Sequence, residues 1–88
     1  MMRIKKNLVI RQVADTWVVL PVGENVLDFN GILSLNETGA MLWQLLEKEC
    51  NKEALATALT NEYKVSYEQA LADVEEFLEI LSKAGCLL

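Results

Sequence analysis

A chain of 88 residues, 52% of them hydrophobic, can bury one small core, so we expect a single domain over residues 1–88 with no room for a catalytic cleft. The apolar run at residues 8–10 ends at Arg11, far too short for a membrane span or a signal sequence, and the cytoplasm is the expected compartment. The net charge of −5 argues against nucleic acid as a partner.

The residues that most catalytic and metal sites need are missing. The chain has no His, hence no Ser-His or Cys-His pair, and no glycine-rich phosphate loop. Cys50 and Cys86 lie far apart in sequence without further metal ligands, so we expect two reduced thiols, with Cys86 packed as a small hydrophobe. The chain is therefore expected to be no enzyme and to hold no metal and no cofactor.

Charge is unevenly distributed. The first twelve positions hold four basic residues and no acid, whereas the remaining positions hold 4 Lys and all 13 acids. The last helix that the pattern predicts, about residues 67–83, carries five acids and one Lys. Such a helix repels phosphate groups, which argues against DNA binding. The basic residues of the N-terminal arm are Arg3, Lys5, Lys6 and Arg11.

The first third of the chain has the pattern of strands. Residues 8–13 and 16–20 are rich in β-formers, and Ala14-Asp15 between them predicts a tight antiparallel hairpin. After a turn at residues 23–25, apolar residues alternate with polar ones over 26–35, which predicts a third strand with one buried face. Asn30-Gly31 within it predicts a bulge or a local turn.

Three capped helices follow. Asn36 precedes a helical pattern over about residues 37–49, and Asn51 is the expected cap of the second helix. Ser66 with Gln69 predicts a capping box at the start of the third helix, and Gly85 is its expected left-handed stop. The order of elements indicates an α+β, winged-helix-like fold, with a three-stranded antiparallel sheet followed by three helices.

The third helix has a broad apolar stripe. Seven apolar side chains fall within an arc of about 120° at 100° per residue. Periodicity alone favours a core role for all of them. They are Tyr67, Ala70, Leu71, Val74, Phe77, Leu78 and Leu81.

Five segments in the same order and at the same spacing resemble the PqqD family, whose fold is known as the RiPP recognition element. The resemblance covers roughly residues 26–88, and the first 25 residues match only as two strands. Each segment alone is a cap, a core position or a helix stop. The segments are Leu35-Asn36-Glu37-Thr38, Trp43, Tyr63-Lys64-Val65, Asp73-Val74-Glu75-Glu76-Phe77-Leu78 and Gly85-Cys86-Leu87-Leu88.

The resemblance implies an accessory protein that binds the leader of a ribosomally made precursor peptide and presents it to a modifying enzyme. In the family that enzyme is often a radical SAM enzyme, to which the iron–sulfur cluster and S-adenosylmethionine belong. The resemblance further assigns Ala70, Val74, Phe77 and Leu81 to the core side of the third helix. The precursor and its final product are not specified by the sequence, and we favour a product other than the quinone cofactor.

The expected mode of binding is strand addition, in which an extended leader pairs with the open edge of the third strand and lies against the third helix. Glu75 at the margin of this groove and the neighbouring acids favour a Lys or Arg on the leader. The predicted peptide-binding residues are Ile32, Leu33, Ser34, Leu35, Tyr67, Leu71, Glu75 and Leu78.

Two other functions remain open at this point. Three helices with a small sheet also build winged-helix transcription regulators, although the acidic third helix argues against one. An unprotected strand edge also invites pairing with a second copy, as in a dimerisation module. We expect a monomer or a weak dimer that binds neither nucleic acid nor membrane.

Overall fold

The computed structural model describes residues 2–22 and 33–88, where three strands precede three helices. The elements are β1 (Leu8–Val13), β2 (Thr16–Pro21), β3 (Leu33–Leu35), α1 (Glu37–Leu46), α2 (Lys52–Glu62) and α3 (Tyr67–Lys83). The strands form one antiparallel sheet in the order β1-β2-β3. The predicted α+β class is therefore confirmed, and the likeness to a winged helix is a loose description.

The hairpin between β1 and β2 turns where the sequence predicts. Val13 pairs with Thr16, which leaves only Ala14 and Asp15 in the connection. Ala14 has a φ of 56°, in the left-handed region that two-residue hairpin turns require and that glycine adopts more easily. The position is exposed, so the methyl group of alanine meets no packing constraint there.

β3 confirms the end of the predicted third strand. Leu33 pairs with Val19 and Leu35 with Trp17. Leu35 is buried, Leu33 is half-buried against the core and Ser34 between them is exposed, as the alternation predicts. The predicted turn at 23–25, the strand over 26–32 with its Asn30-Gly31 bulge, and Ile32 all lie outside the described residues.

The caps of the helices follow the sequence signals. The side-chain oxygens of Asn36 and Asn51 each accept a hydrogen bond of 2.8 Å from the backbone N–H three residues later. Ser66 Oγ accepts from the Gln69 N–H at 3.1 Å. The side chain of Gln69 donates to Asp73 Oδ1 at 2.9 Å instead of returning to Ser66, so only half of the predicted capping box forms.

α1 ends at Leu46, three residues before the predicted end, because the chain turns there to pair with the N-terminal segment. Ile4 donates its N–H to the Leu46 carbonyl at 2.9 Å. Met2 and Cys50 then exchange backbone hydrogen bonds of 2.8 and 2.9 Å. These hydrogen bonds join the N-terminal segment to the end of α1 and the residues after it. No local sequence pattern predicts this pairing.

The C-terminal residues pack on the same segment. Gly85 has the expected left-handed φ of 78° and ends α3. The Cys86 carbonyl then accepts from Lys5 N–H at 2.9 Å, and Leu87 forms a bridge with Ile4. Burial raises the pKa of the Cys86 thiol, and Lys5 nearby partly opposes this effect. Cys86 is buried and neither cysteine is in a disulfide, as predicted.

One core joins the sheet to all three helices. The indole of Trp43 on α1 is fully buried at its centre. α2 and α3 close it from the side opposite the sheet, each presenting one apolar stripe. The other large side chains that are completely buried are Leu46, Leu55, Leu81, Val19, Val74 and Cys86.

Candidate functional site

β3 is an edge strand. Within the described residues it pairs with β2 on one side only, so backbone groups of residues 33–35 line an open edge. An edge of this kind is where an extended peptide can add as a further strand. Leu33, Ser34 and Leu35, three of the predicted site residues, lie on it.

The predicted residues on α3 are placed differently from one another. Tyr67 is 44% exposed, Leu71 is half-buried and Leu78 is buried in the core at 9% exposure. Glu75 is exposed and forms an ion pair of 3.7 Å with Lys52 at the start of α2. Glu75 therefore lies near the start of α2, and the structure does not show these four residues meeting at β3.

The division of α3 into a core side and a groove side is wrong for Leu78. Leu78, expected on the groove side, is buried in the core, whereas Phe77, expected in the core, is half-buried and packs against it. The two side chains point about 100° apart around the helix. Phe77 lies beside Gly39 at the junction of β3 and α1, a neighbour that periodicity does not reveal.

That junction is tightly packed around Gly39. A Cβ atom built on Gly39 would lie 3.3 Å from the side chains of Leu35, Asn36 and Phe77. The end of β3, the first turn of α1 and the middle of α3 therefore meet at one point, and a glycine there permits the close approach. Phe77 is thus an α3 side chain that approaches the end of β3.

A cleft of about 300 Å³, which we call the corner cleft, opens beside this junction. The α3 residues that line it are spaced i, i+3, i+4 and i+7, which places them on one face of the helix. A helical-wheel plot of α3 would therefore have grouped its two acids, Asp73 and Glu76, on that face. A second cavity of about 180 Å³ adjoins it, since Thr38 and Asp73 line both. The corner cleft is lined by Asn36, Thr38, Gly39, Leu42, Asp73, Glu76, Phe77 and Ile80.

Four of the five carboxylates of α3 fall into two pairs. Glu75 and Glu79 form ion pairs with Lys52 and Lys83, at 3.7 and 3.0 Å. Asp73 and Glu76 face the corner cleft and have no ion-pair partner within the described part of the chain. The fifth, Glu68 in the first turn, has no ion-pair partner there either and does not line the cleft. Two of the three α3 carboxylates that lack an ion pair therefore lie at the cleft.

The described residues contain no cluster of three side chains suited to holding a metal ion. None of their helices is long and apolar enough to cross a membrane.

A small sheet with an open edge, next to a helix that leaves a cleft, is an arrangement to which an extended peptide can add as a further strand. Residues 16–87 match the family described as Coenzyme PQQ synthesis protein D (PqqD), so the chain belongs to the PqqD family, as the sequence motifs predicted. No curated protein matches the chain.

Two solved structures share the fold over nearly the whole chain. One is described as "TbiB1 in Complex with the TbiA(beta) Leader Peptide", with 25% identity, 97% of this chain and 93% of that chain covered, and a TM-score of 0.76. The other is "Lasso peptide synthetase B1 complexed with the leader peptide", with 25% identity, coverage of 99% and 96%, and a TM-score of 0.76. The strands β1 and β2, where the sequence resembles the family only loosely, are thus part of the shared fold.

Proposed function

We propose that this chain binds the leader of a ribosomally made precursor peptide at the open edge of β3 and presents it to a modifying enzyme. The open edge, beside the cleft between α1 and α3, carries the proposal. Both solved relatives are described with a leader peptide, which supports the same class of ligand for this chain. The role is that of a non-catalytic accessory domain over residues 1–88, acting in the cytoplasm where ribosomes make the precursor.

In strand addition, the backbone of the peptide contributes affinity and its side chains contribute specificity. Each main-chain hydrogen bond with β3 contributes a net ~1 kcal/mol and is insensitive to leader sequence. Apolar leader side chains that become buried contribute about 1.5–3 kcal/mol each and supply discrimination. Leu33, half-buried on the inner face of β3, and Phe77 on α3 are the apolar surfaces nearest this edge. Ile32 remains a proposed contact on the same strand.

We further propose that the leader contacts the other predicted site residues on α3. They are Tyr67, Leu71, Glu75 and Leu78, of which Leu78 is buried and Glu75 pairs with Lys52 at the start of α2. Substitutions of Tyr67, Leu71 and Glu75, compared with substitution of Phe77, distinguish the two possible walls of the groove.

The identity of the modifying enzyme is a separate part of the proposal. The family resemblance favours a radical SAM enzyme. A specific observation favours a second candidate, because one solved relative is described as a lasso peptide synthetase component. The genes next to the one for this chain distinguish the two: a radical SAM gene supports the first, and lasso peptide synthetase genes support the second.

The proposal is tested with peptide ligands selected from a random display library on the purified chain. Binding is then measured by isothermal titration on the parent and on Ser34→Pro, which removes one backbone N–H of β3. We expect selected peptides with alternating apolar residues and a loss of affinity in the variant if it stays folded. Failure to select any extended peptide, or selection of peptides that bind at β1, the other edge of the sheet, would contradict the proposal.

A further inference from the structure

We propose that the corner cleft is a specificity pocket for one long basic side chain, Lys or Arg, of the bound leader. The inference rests on the proposed function, since it needs a peptide at the β3 edge. It assigns a role to Asp73, Glu76 and Phe77, and it concerns a different side of α3 from Glu75.

The shape of the cleft fits a side chain with an apolar stem. The cleft has a volume of about 300 Å³ and is open to solvent on one side. Leu42, Phe77 and Ile80 contribute apolar groups to its lining. Ile80 is 45% exposed and offers a large apolar surface at the cleft. The methylene groups of Lys or Arg cover such a surface while the charged end remains near water.

The charge of the cleft selects a cation. The carboxylates of Asp73 and Glu76 line it, and no Lys or Arg is among its lining residues. The start of α1, at Asn36 and Gly39, contributes about half a positive charge, which two full negative charges outweigh. The Phe77 ring adds a face on which an ammonium or guanidinium group can lie. Acidic leader side chains are repelled by the same groups.

The position of the cleft predicts where the basic residue occurs in the leader. β3 ends at Leu35, and Asn36 and Thr38, which follow it, line the cleft. A peptide paired antiparallel with β3 therefore places the residues on the N-terminal side of its paired segment at the cleft. The basic residue is expected there, next to the alternating apolar positions and not within them.

The test compares random-library selections on the parent, on the double variant Asp73→Asn/Glu76→Gln and on the control Glu79→Gln. Glu79 lies on the same helix, pairs with Lys83 and does not line the cleft. We expect the parent and the control to enrich Lys or Arg at one fixed position, and the double variant to lose this enrichment while keeping the apolar alternation. Replacing that basic residue by Gln should weaken parent binding about five- to tenfold at low salt and less at high salt.

The outcomes separate this inference from the proposed function. Peptides that bind β3 without a fixed basic position, or a double variant that keeps the preference, overturn the role of the corner cleft and leave strand addition standing. A preference lost equally in Glu79→Gln also overturns it, because general helix charge then explains the selection. If no extended peptide is selected, both proposals fail.

Discussion

Substitution of the adjacent residues Phe77 and Leu78 by alanine separates stability from peptide binding. Leu78→Ala removes three carbons from a side chain that is 9% exposed. At ~0.8 kcal/mol per buried methylene, with the cavity added, the expected cost is about 2–5 kcal/mol. Since 1 kcal/mol shifts the Tm of a small domain by about 4–8 °C, a loss of about 3 kcal/mol lowers the Tm by roughly 12–24 °C.

Phe77→Ala is expected to cost less stability and more affinity. The ring is half-buried, so its loss falls below the about 3–5 kcal/mol of a fully buried phenylalanine. It also removes the apolar wall that meets Leu35 and Gly39 beside the β3 edge. Peptide binding should therefore weaken in Phe77→Ala, whereas the folded fraction of Leu78→Ala should bind like the parent.

Urea unfolding followed by the fluorescence of the buried Trp43 gives the two stabilities, and isothermal titration with a library-selected peptide gives the two affinities. The expected pattern is a larger stability loss in Leu78→Ala and a larger affinity loss in Phe77→Ala. The reverse pattern, with Phe77→Ala less stable and unchanged in affinity, would refute the assignment of the two sides of α3.

Three further predictions concern single elements. Leu33→Pro should abolish the fold, because it removes a half-buried side chain as well as a strand N–H. Ser34→Pro should stay folded, as measured by circular dichroism, because Ser34 is exposed. Equal unfolding of the two variants would contradict this prediction. Asn51→Ala should lower the unfolding free energy by about 1 kcal/mol through loss of the α2 cap, and an unchanged urea midpoint would contradict it. Cys86 should react with a thiol reagent far more slowly than Cys50. Because burial raises the folded pKa of Cys86 above its ordinary value of 9.0, its contribution to stability should be complete below pH 9.0 and be lost as the pH rises through the folded pKa. A stability that does not fall over that range would contradict the burial argument.

Local signals in the sequence were sufficient for most of the fold. The caps at Asn36, Asn51 and Ser66 depend on side-chain oxygens that bond three residues along the same chain, so a short stretch of sequence contains all the information. The left-handed stop at Gly85 is local in the same sense. The early end of α1 was missed because it depends on Met2, which is far away in sequence.

The site was less predictable because it depends on how the elements pack. Periodicity identified the apolar stripe of α3, but it does not show that the β3–α1 junction meets the stripe at Phe77. Nor does it show that Leu78 is buried in the core. The grouping of Asp73 and Glu76 was visible at helical spacing, yet only the ion pair with Lys52 distinguishes Glu75 from these two, which have no ion-pair partner among the described residues.

The central claim is that a peptide adds to the open edge of β3. Amide hydrogen exchange of the whole chain, with and without a library-selected peptide, tests it most directly. The account predicts new protection at outward-facing amides of residues 33–35, together with changed exchange near Phe77 on α3. Protection confined to β1, or to a surface remote from β3, would contradict it.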